Sequence, residues 1–271
     1  VSQQDLEIHD LLEDLYGRFH YDFRHYAMAS LRRRLAAARA RFGAPSVTAL
    51  RERLATDPSL LTTLLDYLTV QVSEMFRDPG YFLGLRTDVL PVLATYPQIR
   101  VWVPGCSAGE EAYSIGVLLR EEGLLEKSFI YATDINPTAL TRARAGIYEI
   151  ERIAQFSHNH RLAGGRSSLS DHYHAARGAA VMDPALRDRI MFSDHSLSTD
   201  SVFSEVQFIS CRNVLIYFDR PLQSRALDLF HQSLCHRGFL GLGSRESLRF
   251  TTQAANFEEQ RRDVKLYRRR A

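Results

Sequence analysis

Residues 99–116 constrain this chain more than any other stretch. They read Ile-Arg-Val-Trp-Val-Pro-Gly-Cys-Ser-Ala-Gly-Glu-Glu-Ala-Tyr-Ser-Ile-Gly. The apolar run Ile99–Val103 is too short for a helix and alternates too little for a half-exposed strand, so it reads as a buried parallel strand. Small residues follow at once: Gly105, Cys106, Ser107, Ala108 and Gly109. Glu110 then opens a helix with Ala112, Ile115, Val117, Leu118 and Leu119 at helical spacing. Strand, small-residue turn and helix make the first unit of a nucleotide-type α/β fold, in which a ligand lies against bare backbone at the strand's carboxyl end.

Three readings of the turn compete. Gly105-Cys106-Ser107-Ala108-Gly109 has the G-x-S-x-G form of a hydrolase nucleophile elbow. An elbow normally follows strands already laid down, whereas the residues before Ile99 look helical. The second reading is a cofactor loop, completed by an acid at the end of the next strand that grips a ribose. Phe129–Thr133 and Asp134 supply that strand and acid. A dinucleotide fold would share the acid, but its G-x-G-x-x-G is absent; S-adenosylmethionine enzymes tolerate a looser loop. The third is an ordinary tight strand-to-helix turn.

The block Pro104–Ser114 resembles the A-C-S-T-G-E-E-P-Y-S motif of the chemotaxis receptor glutamate methyltransferases, the CheR family. Cys211-Arg212-Asn213-Val214-Leu215-Ile216-Tyr217-Phe218-Asp219 resembles that family's C-R-N-V-x-I-Y-F-D block. Gly238-Phe239-Leu240, with Gly243 and Glu246-Ser247-Leu248, is similar to its G-x-L-x-x-G-h-s-E-s-l segment. The blocks keep their order, and weaker likeness runs from about Leu6 to Tyr267. The resemblance implies an α/β fold: a seven-stranded S-adenosylmethionine-methyltransferase sheet preceded by a small all-helical domain. The expected bounds are 1–68 for the helical domain, 69–80 for a linker with cofactor contacts, and 81–271 for the methyltransferase domain.

Composition adds limits. Hydrophobic content of 45% with 24% charged residues is that of an ordinary globular protein. No apolar run reaches membrane-span length and no signal peptide opens the chain, so no membrane insertion and a cytoplasmic location are expected. The three cysteines lack metal-ligand spacing, which favours a reduced setting over a disulfide scaffold. His158/His160 and His172/His174 form i,i+2 pairs without a nearby cysteine or acidic cluster, so they read as solvated loop histidines and no metal is expected.

Residues 1 to about 68 read as helices. Ile8, Leu11, Leu12, Leu15 and Phe19 form one stripe on an acidic segment. Leu31, Leu35, Ala38 and Phe42 form a second, with Arg32, Arg33, Arg34, Arg39 and Arg41 read as lying off it. Gly43 ends that helix, Ser46 caps a third carrying Leu50 and Leu54, and Asp57-Pro58 starts a fourth with Leu61, Leu64, Leu65 and Leu68 inward. The arginines are either a solvated face that compensates the acidic first helix or a docking surface for an anionic partner. The helix lacks interleaved aromatics and net charge is only +2, which argues against nucleic acid. The resemblance implies that Arg32, Arg33 and Arg39 dock the acidic signalling region of a chemoreceptor-like protein.

Thr69–Arg77 resembles the family's T-x-N-x-T-x-F-F-R stretch, whose polar residues meet the cofactor; the matching positions are Gln71, Ser73 and Arg77. Asp78-Pro79 is expected to cap the helix leading to the first strand. Asn136, where the family has aspartate, caps a helix with Pro137 at its first position. Residues 151–188 are polar and histidine-rich, with a loop at Gly164-Gly165. Some relatives carry a peptide-gripping β-subdomain here, and this stretch reads as short for a full one. Arg189–His195, Val206–Cys211 and Gly238–Gly243 read as further strands, with a helix capped by Asp219 and ended by Gly238, then a terminal hairpin. Ser196-Leu197 stands where the family has N-L, and Gln207 where it has aspartate.

By resemblance, S-adenosyl-L-methionine, and its product S-adenosyl-L-homocysteine, would contact Gln71, Ser73, Arg77, Gly105, Glu110, Asp134, Ser196, Leu197, Arg212 and Asn213. Asp134 would grip the ribose and Glu110 the ammonium of the amino acid tail, while Arg77 and Tyr217 would frame the reacting carboxylate. The implied reaction is methyl transfer to glutamate side chains of a chemoreceptor-type protein. The departures at Gln71, Asn136, Ser196 and Gln207 keep open a cofactor-binding module without turnover, and Ser107 keeps open a serine hydrolase.

Overall fold

The computed structural model describes residues 2–249 and 251–270. Val1, Phe250 and Ala271 lie outside the described residues, and with them the outer bounds expected for the two domains. Four helices come first: α1 (Gln3–Phe19), α2 (Met28–Phe42), α3 (Val47–Thr56) and α4 (Leu60–Leu68). Their apolar stripes close a core of their own from Ile8, Leu11, Leu15, Leu31, Leu35, Leu50, Leu54, Leu64 and Leu68. Caps set the ends: Ser46 accepts the Ala49 amide at α3, and Gly43 at φ 61° ends α2 in the left-handed conformation that glycine adopts without strain. Asp57 does not start α4 directly; it accepts from Ser59, and the helix begins at Leu60.

After the linker, α5 (Pro79–Gly84) runs through a π turn, Leu85–Val89, into α6 (Leu90–Leu93). Asp78, expected to cap this helix, sits at φ 57° without a side-chain cap bond and turns its carboxylate to Arg212. There follow β1 (Ile99–Pro104), α7 (Glu110–Glu121), β2 (Ser128–Asp134), α8 (Pro137–Ala145), β3 (Ile147–Glu149), α9 (Ile150–Leu162), β4 (Tyr173–Ala176), β5 (Ala179–Met182) and α10 (Pro184–Arg187). The chain finishes with β6 (Ile190–Asp194), β7 (Val206–Cys211), α11 (Arg220–Ser233), β8 (Leu234–Leu242), β9 (Phe257–Arg261) and β10 (Leu266–Arg269).

The main sheet has seven strands in the order β6-β2-β1-β7-β8-β10-β9. Only β10 runs against its neighbours. Ile99, Val101 and Val103 face the core under α7, and Trp102 faces the core under α11, so both sides of β1 are buried and its sequence reads as unbroken apolar. Strand order reverses between β1 and β7, and at such a reversal the two crossover helices diverge and leave a crevice at the strands' carboxyl ends.

Two details differ from expectation. Helix α11 passes straight into β8 at Leu234, so Gly238 lies inside the strand instead of ending the helix. A Cβ on Gly238 would stand 3.0 Å from the Cys235 carbonyl, beside a register shift, which is why glycine is used there. The stretch 151–188 also contains more order than its polarity suggests: α9 packs on a three-stranded antiparallel sheet, β3-β5-β4.

The histidines of that stretch correct the reading as loop residues. His158 and His174 are exposed, but His160 and His172 are buried and converge on Glu121 at the end of α7. Glu121 Oε1 accepts from His160 Nε2 (3.0 Å), Ser167 Oγ (2.7 Å) and the Arg166 and Ser167 amides, while Oε2 pairs with Arg86. Burial alone would raise this carboxyl, yet the His160, His172, Ser167 and Arg86 donors outweigh it and hold Glu121 far below the usual carboxylate range. The network fastens the inserted sheet to the core.

Candidate functional site

The crevice begins at the turn after β1. Gly105 has φ +69°, and a Cβ there would lie 2.4 Å from Val214 Cγ2, so the backbone must stay bare. The Ser107 amide donates to Asp134 Oδ2 at 2.8 Å and the Asn136 amide to Oδ1 at 2.9 Å. Both carboxylate oxygens are thereby aimed by backbone, and each keeps a free lone pair. Burial raises the Asp134 pKa against the pull of these amides.

Around this turn lies a cleft of about 960 Å³ with its open mouth included. Of the residues expected at a cofactor, Gln71, Ser73, Arg77, Gly105, Asp134, Leu197, Arg212 and Asn213 line it, as does Tyr217. Ser196 does not: its amide and hydroxyl are taken by Asp200 and Ser198 in its own loop, and His195 and Leu197 face the cleft instead.

Glu110 is the larger correction. It is buried away from the cleft wall, where Oε1 accepts from Arg152 at 3.0 Å. Glu111 lines the cleft, accepting from Ser210 Oγ (2.6 Å) and Arg212 Nη1 (3.1 Å). Successive helical residues point about 100° apart, so the two glutamates opening α7 cannot share a face. Burial raises Glu111, opposed by Arg212 and Ser210.

Arg212 is fixed rather than free. Its guanidinium reaches Glu111, Asp78 (2.6 Å) and the Arg77 carbonyl (2.9 Å), and lies 4.2 Å from the centre of the Tyr81 ring. Asn213 takes φ 60°, and its amide donates to Glu246, which also accepts from the Gly243 and Ile216 amides. The Glu246 block therefore shapes the loop after β7 from below. These two blocks, far apart in sequence, form one structure.

The helical domain supplies part of the wall. Tyr26 and Arg34 line the cleft, and Arg34 is only 7% exposed. Its guanidinium lies 4.5 Å from the centre of the Tyr217 ring and donates to the Leu68 carbonyl, while Nη2 is buried without a partner. Burial lowers its pKa from the ordinary guanidinium value. The expectation that Arg34 lies off the apolar stripe of α2 is wrong. It follows Leu31 by three and precedes Leu35, which places it on that stripe and was the available signal.

The expected docking arginines separate. Arg32 pairs with Asp5 at 2.6 Å, and Arg39 donates to the Ala44 and Pro45 carbonyls beyond its helix end. Arg33 and Arg41 are exposed and have no ion-pair partner among the described residues. The departures from the family pattern also have local reasons. Asn136 caps α8 and its Nδ2 donates to Asp66 and Thr69, which an aspartate could not do. Gln71 accepts from Ser107 Oγ at 2.8 Å, and Gln207 accepts the Arg100 amide near the opposite strand ends. An amide cannot take a proton from Ser107, so the nucleophile-elbow reading has no base at that bond.

Residues 71–264 match the family described as CheR methyltransferase, SAM binding domain, and residues 6–69 match its all-alpha domain. The chain belongs to the CheR methyltransferase family. It is 54% identical over 265 residues to a putative methyltransferase, Cher3, of Pseudomonas putida, covering 98% of this chain and 97% of that protein. It is 32% identical to a chemotaxis protein methyltransferase of Listeria monocytogenes, covering 73% of each. An N-methyltransferase, NodS from Bradyrhizobium japonicum, solved with S-adenosylhomocysteine, overlaps 63% of this chain and 62% of its own at 16% identity and a TM-score of 0.34. The family's cofactor, S-adenosylmethionine, fits the residues present: a turn that a Cβ would fill and a backbone-aimed carboxylate at the end of β2.

Proposed function

We propose that this chain methylates glutamate side chains of a chemoreceptor-type protein, leaving glutamyl methyl esters. The observation that carries this reading is Arg34: a buried guanidinium with one nitrogen unpartnered, set over Tyr217 at the cleft wall. A desolvated cation of this kind calls for an anionic guest, and a planar fork suits a carboxylate.

When bound, S-adenosylmethionine supplies an electrophilic methyl group on a positive sulfur. Asp134 accepts the ribose hydroxyls with oxygens already aimed by Ser107 and Asn136. Glu111, held by Arg212 and Ser210, meets the tail ammonium. Arg34 and Arg77 hold one oxygen of the incoming glutamate, and the Tyr217 hydroxyl keeps the other in line. A glutamate, with pKa near 4.3 in water, arrives ionised, so no residue has to move a proton. Charge is lost along the path, and the site works by alignment and exclusion of water.

The test is labelled methyl transfer to a soluble receptor signalling fragment, scored by base-labile release. Arg34→Met should lower kcat/KM for the fragment by about ten- to a hundredfold, the loss of one charge-assisted contact, with S-adenosylhomocysteine affinity nearly unchanged. Tight cofactor binding without any base-labile ester on receptor fragments would instead support the binding module.

A further inference from the structure

The segment joining α1 to α2 forms a β-type pairing with the loop that carries Tyr217. The Ala27 amide donates to the Tyr217 carbonyl at 2.8 Å, and the Asp219 amide donates to the His25 carbonyl at 2.9 Å. Tyr26 and Phe218 lie opposite each other as an isolated antiparallel bridge, their rings edge to face at 5.0 Å. His25 Nδ1 adds a side-chain tie to Asp219 Oδ2 at 2.9 Å. Asp219 is also the cap of α11, accepting the Leu222 amide with its other oxygen.

On the other side, the same loop is held by Glu246 through the Asn213 and Ile216 amides. Tyr217 therefore sits between two clamps. One belongs to the methyltransferase sheet and one to the helical domain. The second clamp ends where α2 begins, since Ala27 is the residue before Met28 and its carbonyl accepts from Ser30 and Leu31.

We infer that residues His25–Ala27 are a positioning strap for Tyr217, so that the helical domain sets the geometry of the reacting end of the cleft as well as offering a surface to a partner. The inference rests on the proposed role of Tyr217, and adds that the Ala27 amide fixes that residue's backbone. Displacing a positioning group by about 1 Å can cost about a hundredfold in rate, a larger effect than one lost hydrogen bond has on stability. A strap therefore shows itself more in kcat than in folding.

Ala27→Pro tests this by breaking the pairing itself. Proline accepts the φ of −57° at Ala27 and leaves the start of α2 intact, but it replaces the amide hydrogen with a ring carbon that cannot approach the Tyr217 carbonyl, so the two segments are pushed apart there. Expected are a kcat on the receptor fragment at least tenfold lower, an S-adenosylhomocysteine Kd within twofold, and faster amide exchange across 214–219 with the 105–110 turn still protected. In a Tyr217→Phe background the same change should have little further effect on kcat, because both act on one contact. Full additivity of the two losses, or unchanged exchange across 214–219, overturns the strap. A Tyr217→Phe enzyme with normal kcat refutes the proposed role of Tyr217 instead. Should Ala27→Pro fail to fold, His25→Ala removes the side-chain tie alone and should show a smaller loss, two- to threefold, with the same non-additivity; additivity there also overturns it.

Discussion

Asp134→Ala separates what this carboxylate does for the fold from what it does for the cofactor. Its oxygens hold the Ser107 and Asn136 amides at 2.8 and 2.9 Å. Alanine leaves both without an acceptor at a site where Asp134 is 8% exposed. An unsatisfied buried group costs about 1–3 kcal/mol, and partial access of water to the vacated space lowers the sum, so a loss of about 2–4 kcal/mol in unfolding free energy is expected. Binding loses a charge-assisted bond to the ribose of about 1.5–3 kcal/mol, hence about ten- to a hundredfold in Kd. Asp134→Asn keeps one accepted amide and can still donate to a ribose oxygen, so it should lie between wild type and alanine in affinity. Calorimetry with S-adenosylhomocysteine reads the second quantity and urea unfolding the first. A folded Asp134→Ala protein that binds with wild-type Kd would refute the ribose assignment.

Other outcomes follow from the same geometry. Glu111→Gln should weaken S-adenosylhomocysteine binding about tenfold by calorimetry, while Glu110→Gln, one residue away and facing Arg152, should change it less than threefold; the reverse order would restore Glu110 as the tail contact. Arg33→Glu with Arg41→Glu should raise KM for a receptor fragment and leave cofactor affinity alone, with added salt imitating the change; a steep salt slope for binding nucleic acid would point to another substrate class. Glu121→Gln leaves Arg86 paired with Glu122 alone and weakens the charge-assisted bonds from His160 and Arg86, which should cost about 1.5–3 kcal/mol in urea unfolding. Because Glu121 is held far below its ordinary value when folded, its contribution is present above about pH 4.5 and fades as pH falls through the acid range; the variant should lose that part of the wild-type acid slope.

Much of this architecture was legible from local pattern. The run Ile99–Val103 and the small residues after it specify a buried strand and a bare turn, because only short-range sterics and burial are involved. The same holds for Asn136-Pro137 opening α8 and Ser46 capping α3, where a cap acts within three residues. Tertiary structure alone decided which of Glu110 and Glu111 faces the cleft, since that depends on how α7 is rotated about its axis against the sheet. It decided what Arg34, already marked as inward by its place between Leu31 and Leu35, packs against: the Tyr217 ring and the Leu68 carbonyl. It brought His160 and His172 to Glu121 across α9 and the inserted sheet, a meeting no spacing announces. It also made Glu246 the support of Asn213 and tied Ala27 to Tyr217, contacts between segments distant along the chain. Helix periods, turns and caps are local properties and are written in the order of residues. The direction of a side chain at a packed interface is set by partners from elsewhere in the chain, and appears only once the chain has closed on itself.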